Sequence, residues 1–187
     1  MRTMLVMILV GAVACGGEPK ADAGAAGMSD TLGYGTPTTA APVSLTEVAP
    51  GDTATILRVM RGTMSDIDAL LPELERRDTM LEPVGTQEPR RLTVWVQNGT
   101  PRKLTVTEPD DAGAMTGLSH FWLVGNELRV VQQPFAAFVF YGDRILVWTD
   151  SALEPVPDIP DDDRMAREIE LVREAREYLG VFGLKLP

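Results

Sequence analysis

Cysteine and histidine each occur once in this chain of 187 residues, at Cys15 and His120. A single cysteine closes no internal disulfide, and one cysteine with one histidine falls short of a Cys/His zinc site. Positive charge is scarce: 17 Lys and Arg stand against 27 Asp and Glu, a formal charge of −10. Phosphate binding needs a basic face, so this balance argues against nucleic acid as a partner. Long apolar runs are missing as well. The uncharged stretch from Thr3 to Ala14 is 12 residues, where about 20 are needed to span a bilayer. The chain has no phosphate-binding Gly-rich loop, no Gly-x-Gly-x-x-Gly and no Gly-x-Ser-x-Gly elbow. On these grounds it reads as a non-enzyme without metal or cofactor.

The lone cysteine stands in a telling place. Met1-Arg2-Thr3 opens with a positive charge, Met4 to Val10 is apolar, and Gly11-Ala12-Val13-Ala14 brings small residues up to Cys15. This is the order of a secretory signal peptide, here over residues 1–14. Ala12-Val13-Ala14-Cys15 resembles the lipobox of bacterial lipoproteins, with Ala12 where the pattern usually has Leu. The resemblance implies lipidation of the Cys15 sulfur by a prelipoprotein transferase, cleavage before Cys15, and attachment to a membrane through covalent lipid. Two or three acyl chains anchor stably where one holds only marginally. Gly16 rather than Asp follows the cysteine, which in Gram-negative lipoproteins permits sorting to the outer membrane, periplasmic side.

Residues 16–50 change in character: Gly, Pro, Ala, Ser and Thr make up 24 of 35, with no apolar period. With Cys15 they read as a lipidated, disordered tether over 15–50, with an end-to-end distance of roughly 30 Å. The remainder, 51–187, has the length of one globular domain. Its acidity argues against lying flat on anionic lipid.

Within it, Ile56, Met60, Met64, Ile67, Leu70 or Leu71, and Leu74 recur at helical spacing behind a cap at Asp52 or Thr53. This predicts a helix over about 53–77, broken near 62–66 or at Pro72. Three strand–turn–strand units follow: Arg91–Gln97 and Lys103–Thr107 around Asn98-Gly99, Ser119–Val124 and Leu128–Val131 around Gly125-Asn126, and Phe135–Tyr141 and Arg144–Thr149 around Gly142-Asp143. A last helix starts at Asp161-Asp162-Asp163, with Met165, Ile169, Val172, Ala175 and Leu179 as its buried stripe and Gly180 as its stop. The expected fold is α+β: an antiparallel meander of about six strands packed with an N-terminal and a C-terminal helix. The order resembles small bacterial lipoproteins with a helix followed by hairpins, through patterns such as Leu92-Thr93-Val94-Trp95, Trp122-Leu123-Val124-Gly125-Asn126-Glu127-Leu128 and Val139-Phe140-Tyr141-Gly142-Asp143-Arg144. That resemblance implies no catalytic residue.

Candidate sites are few. His120 lacks a triad partner, since Ser119 beside it in a strand faces the other way. Asp161-Asp162-Asp163 lacks the rest of a calcium loop and suits a helix start. Glu108, Asp110 and Asp111 make an acidic loop, and Asn98-Gly99-Thr100 reads as a turn rather than a glycosylation triplet. Seven of 11 aromatic residues fall between 118 and 149. Trp122, Phe138, Phe140, Tyr141 and Trp148 are the candidate binding patch: if the helices cover one face only, the second is exposed or curled around an apolar ligand, whereas coverage of both faces, the favoured alternative, makes most of these rings core. The expected roles are a binding or structural module with an envelope protein as partner, or a carrier of an apolar ligand or lipid.

Overall fold

A computed structural model describes residues 51–83, 85, 88–110 and 112–186. Helix α1, Thr53–Leu70, starts where Asp52 accepts the Thr55 amide at 3.0 Å. It runs unbroken through Gly62 and Ser65-Asp66 and gives way at the other expected place, Pro72, to a 3-10 turn at Leu71–Glu73. Pro72 sits in that first turn, where its missing N–H costs nothing. The expected helix is therefore shorter, and its last stretch is a strand.

That strand, β1 (Glu75–Met80), makes the sheet seven-stranded rather than six-stranded. Its side chains are charged and largely exposed, so it carries no apolar alternation. It joins through backbone pairing, Glu75 opposite Val96 through to Met80 opposite Arg91, with Thr93 donating to Asp78 at 2.7 Å and Arg76 lying 5.8 Å from the Trp95 ring. Arg77 pairs with Glu75 and Arg76 with Asp78, both at 2.8 Å. Charge along an edge strand discourages pairing with a stranger.

The other strands are β2 (Arg91–Gln97), β3 (Thr100–Glu108), β4 (Gly117–Val124), β5 (Glu127–Gln132), β6 (Ala136–Tyr141) and β7 (Arg144–Asp150), each antiparallel to the next. Phe135, expected to open β6, lies before it and is 85% exposed. The three hairpins share one geometry. Each has a two-residue turn, at Asn98-Gly99, Gly125-Asn126 and Gly142-Asp143. Each then has a bulge at the same distance from the turn, which leaves Arg102, Arg129 and Leu146 as the extra residues. The faint repeat in the sequence is thus a repeat of register. Beyond β7 the chain folds back, with the Val156 amide donating to the Trp148 carbonyl and the Asp150 amide to Glu154, both at 2.9 Å. This covers part of the second sheet edge.

Each face of the sheet is covered by a helix. Ile56, Leu57, Met60 and Ile67 of α1 cluster with Trp122, Val130, Val139 and Val147. On the other face Leu92, Val94, Phe121, Phe138 and Phe140 cluster with Leu171, Val172, Ala175, Tyr178 and Leu179 of α2, Asp161–Val181. The expected α2 stripe is turned about the helix axis. Met165 and Ile169 are 52% and 64% exposed, and Leu171, Tyr178 and the Glu168 carboxylate are buried instead. Glu168 fixes this rotation: it accepts the Ile145 amide at 2.8 Å and pairs with Arg144 at 2.9 Å. Gly180 does not end the helix. Gly183 does, at φ +72°, with Leu184 N–H donating to the Leu179 carbonyl and Gly183 N–H to Gly180, both at 3.0 Å. Among the described residues no helix is long and apolar enough to cross a membrane.

Candidate functional site

The five aromatic residues named from the sequence do not form one exposed patch. Phe138 and Phe140 are fully buried under α2, and Phe138 meets Trp148 edge-on at 4.8 Å with the Arg167 guanidinium 5.2 Å from its ring. Trp122, 2% exposed, belongs to the α1 face. Tyr141 is 43% exposed, and Arg129 lies 5.6 Å from its ring. The alternation of side chains was read correctly from the sequence. Both faces carry a helix, the favoured of the two expected arrangements, so Phe138, Phe140 and Trp122 serve as core while Tyr141 stays at the surface.

His120 lies in a polar corner beside α1. Its ring stacks on Trp122 at 5.3 Å between centroids, and its Nδ1 is buried without a partner among the described residues. Asp68 of α1 accepts the Trp122 indole N–H at 2.8 Å and the Lys103 ammonium at 2.6 Å. That ammonium also sits 4.5 Å from the Trp122 ring centre. Burial, then the neighbouring Lys103 charge, holds the imidazole at about 4, far below its ordinary 6.5, with Asp68 opposing weakly. Such a ring is neutral at pH 7 and badly matched to proton transfer there. Ser119, fully buried on the opposite face, donates to Glu108 at 2.7 Å instead.

The acidic candidates have local duties. Asp110 accepts the Ala112 and Ala114 amides at 2.9 Å and the Thr116 hydroxyl at 3.1 Å, which holds its carboxyl below the usual range. Asp111 lies outside the described residues. Glu108 binds Arg90 at 2.6 Å, and Arg90 also donates to the Tyr178 hydroxyl at 3.0 Å, tying β3 to α2. Between them Glu174 is held above the usual carboxylate range, by burial first and then by Glu170 and Glu108. Asp161, Asp162 and Asp163 fill the first turn of α2 behind Pro160, which supplies no side-chain cap. Their charge suits the positive helix end. Among the described residues no cluster of His, Cys, Asp and Glu is suited to a metal ion.

The feature that the sequence reading passed over is on the outside of α2. Ile169 stands as an exposed ridge between two shallow grooves. One, of about 770 Å³, runs along Trp148, Ile159 and Ala166; the other, of about 400 Å³, along Met165, Val172 and Arg144. Arg173 borders both. Met165 and Ile169, one turn apart, make a contiguous exposed apolar strip with the grooves beside them, and it is contiguous apolar surface that marks a contact site. The signal was present in the sequence: Leu171, Ala175 and Tyr178 form an apolar arc of their own, which leaves Met165 and Ile169 to the side.

Cys15 and the segments 1–14 and 15–50 lie outside the described residues. No family model, no curated protein and no solved structure matches this chain.

Proposed function

We propose that this protein is a lipid-anchored binding module of the cell envelope, held to the membrane through Cys15, which takes its partner on the ridge and grooves of α2. The exposure of Ile169 beside Trp148 and Ile159 on one side, and beside the exposed Met165 on the other, carries this reading of the seat. The lipobox resemblance at Ala12-Val13-Ala14-Cys15 carries the anchor. Two signals, lipid and seat, describe a module that is confined to a surface and free to present one helix face.

The anchor is tested by Cys15→Ala, which is expected to leave unprocessed precursor or soluble protein on fractionation. Recovery of the variant as a mature membrane-bound form would overturn it. The seat is tested by a photo-crosslinking residue at Ala166 in the host. A discrete adduct that disappears with Ile169→Asp is expected, and an adduct pattern indifferent to that change would remove α2 as the seat. The alternative role, carriage of an apolar ligand by the aromatic sheet, gains nothing from Phe138, Phe140 and Trp122, which pack against protein. Native mass spectrometry showing co-purified lipid would restore it.

A further inference from the structure

We propose that the partner on this seat is a second copy of the chain, docked α2 against α2, antiparallel, about a two-fold axis at Ile169. The inference rests on the α2 ridge being the binding seat, and it names the occupant. The exposed stripe of α2 reads Asp162, Met165, Ile169, Arg173, Arg176, at the three- and four-residue steps that keep side chains on one helix face. It is acidic at one end, apolar in the middle and basic at the other.

That order is its own complement. Asp162 and Arg176 stand seven residues either side of Ile169, and Met165 and Arg173 stand four either side. Reversed about Ile169, the second copy brings Arg176 to Asp162, lays the Arg173 stem on Met165, and sets Ile169 against Ile169. This is the arrangement that an isologous two-fold contact requires. An acidic or a basic partner of another kind would leave one end of the stripe against like charge.

The relief fits as well as the charge. Helices pack by setting the ridge of one into the groove of the other. With Ile169 meeting Ile169 at the axis, the grooves on either side of it, along Ala166 and along Val172, are left for the flanking side chains of the copy, Met165 and the Arg173 stem. Arg173 and Arg176 are held toward solvent in exposed pairs with Glu177 and Asp143, each at 3.2 Å, so the basic end is already presented. Giving up the exposed Arg173–Glu177 pair for a contact with the copy loses little, because exposed pairs contribute little. One helix face is a small contact by the standard of stable complexes. Anchoring two copies in one membrane, as proposed above, raises their effective concentration and lets a small contact hold.

The chain's one native cysteine is Cys15, so a single new thiol reports on the axis. In host membranes, Ile169→Cys is expected to give a disulfide-linked dimer on mild oxidation, while the wild-type chain gives none. Arg173→Cys alone should stay monomeric, yet cross-link when mixed with Met165→Cys. Arg173→Glu with Arg176→Glu should cut the Ile169→Cys dimer yield about tenfold, and adding Asp162→Arg and Asp163→Arg should restore it. Equal yields from Ile169→Cys and Arg173→Cys, or no effect of charge reversal, would overturn the two-fold arrangement. No dimer together with an Ile169-dependent photo-adduct to a different protein would refute the second copy and keep the seat. Absence of both would refute the seat itself.

Discussion

His120 offers the sharpest test of the structure, because the chain has no other histidine to confuse its titration. Its imidazole titrates near 6.5 in an unfolded chain and near 4 in the fold, where burial and Lys103 oppose the proton. The sign follows directly. Below pH 6.5 the unfolded chain takes up a proton that the folded chain refuses, so folding stability falls as pH drops from 6.5 toward 4 and levels off below that. At about 1.4 kcal/mol per pH unit the whole effect would be about 3.5 kcal/mol. The ring keeps some solvent, and screening brings the expected loss to about 2 kcal/mol. Carboxylates titrate over the same range, so the measurement is a difference. Urea unfolding of the wild type and of His120→Gln is followed at pH 7 and at pH 4.5. The variant should gain about 2 kcal/mol on the wild type between the two pH values, whatever its standing at pH 7. NMR of the single imidazole gives the folded pKa independently. A stability difference that does not change with pH, or a ring titrating near 6.5, would refute the burial of His120 against Trp122 beside the Lys103 charge.

Asp68→Ala should cost about 2–3 kcal/mol, since it strands the Lys103 ammonium, whose side chain is 7% exposed. Lys103→Met in the same chain should recover most of this in chemical denaturation. Glu168→Ala should cost about 2 kcal/mol by leaving the Ile145 amide without its acceptor, and amide exchange should speed locally at Ile145. Gly62→Ala should stabilise by roughly 0.8 kcal/mol, because its Cβ would meet nothing within 4 Å in the middle of α1. Gly117→Ala should destabilise by about 1 kcal/mol, its Cβ falling 3.1 Å from both Glu108 Cβ and Pro134 Cγ. A melting-temperature comparison of these two glycine variants, one rising and one falling, checks both.

Strands β2 to β7 were legible because each alternates or runs apolar between turns that demand positive φ, as at Asn98-Gly99. Strand β1 was not, for the reason that makes it a good edge. Glu75-Arg76-Arg77-Asp78 has no apolar face, and it is the backbone of β2, with side-chain contacts from Thr93 and Trp95, that recruits it. A sequence-level reading of side chains cannot see a strand whose membership depends on main-chain pairing. Pro72 marks the change at the end of α1 in the sequence, but Leu74 continues the apolar period beyond it, so the helix reads on into what is β1.

The site was hidden by a different kind of ambiguity. Apolar residues on α2 span more of its circumference than one buried arc can hold, and the sequence does not say which part faces the sheet. A polar residue decides it: Glu168 reaches the Ile145 amide left open beside the third hairpin bulge, and that bond turns Leu171 and Tyr178 inward. Ile169, next to Glu168 in sequence, is carried outward by the same rotation. The burial of one carboxylate and the exposure of one isoleucine are therefore a single structural event. It follows that Glu168→Ala should loosen the rotation of α2 and lower the yield of the Ile169→Cys dimer, although Glu168 itself lies on the buried side of the helix.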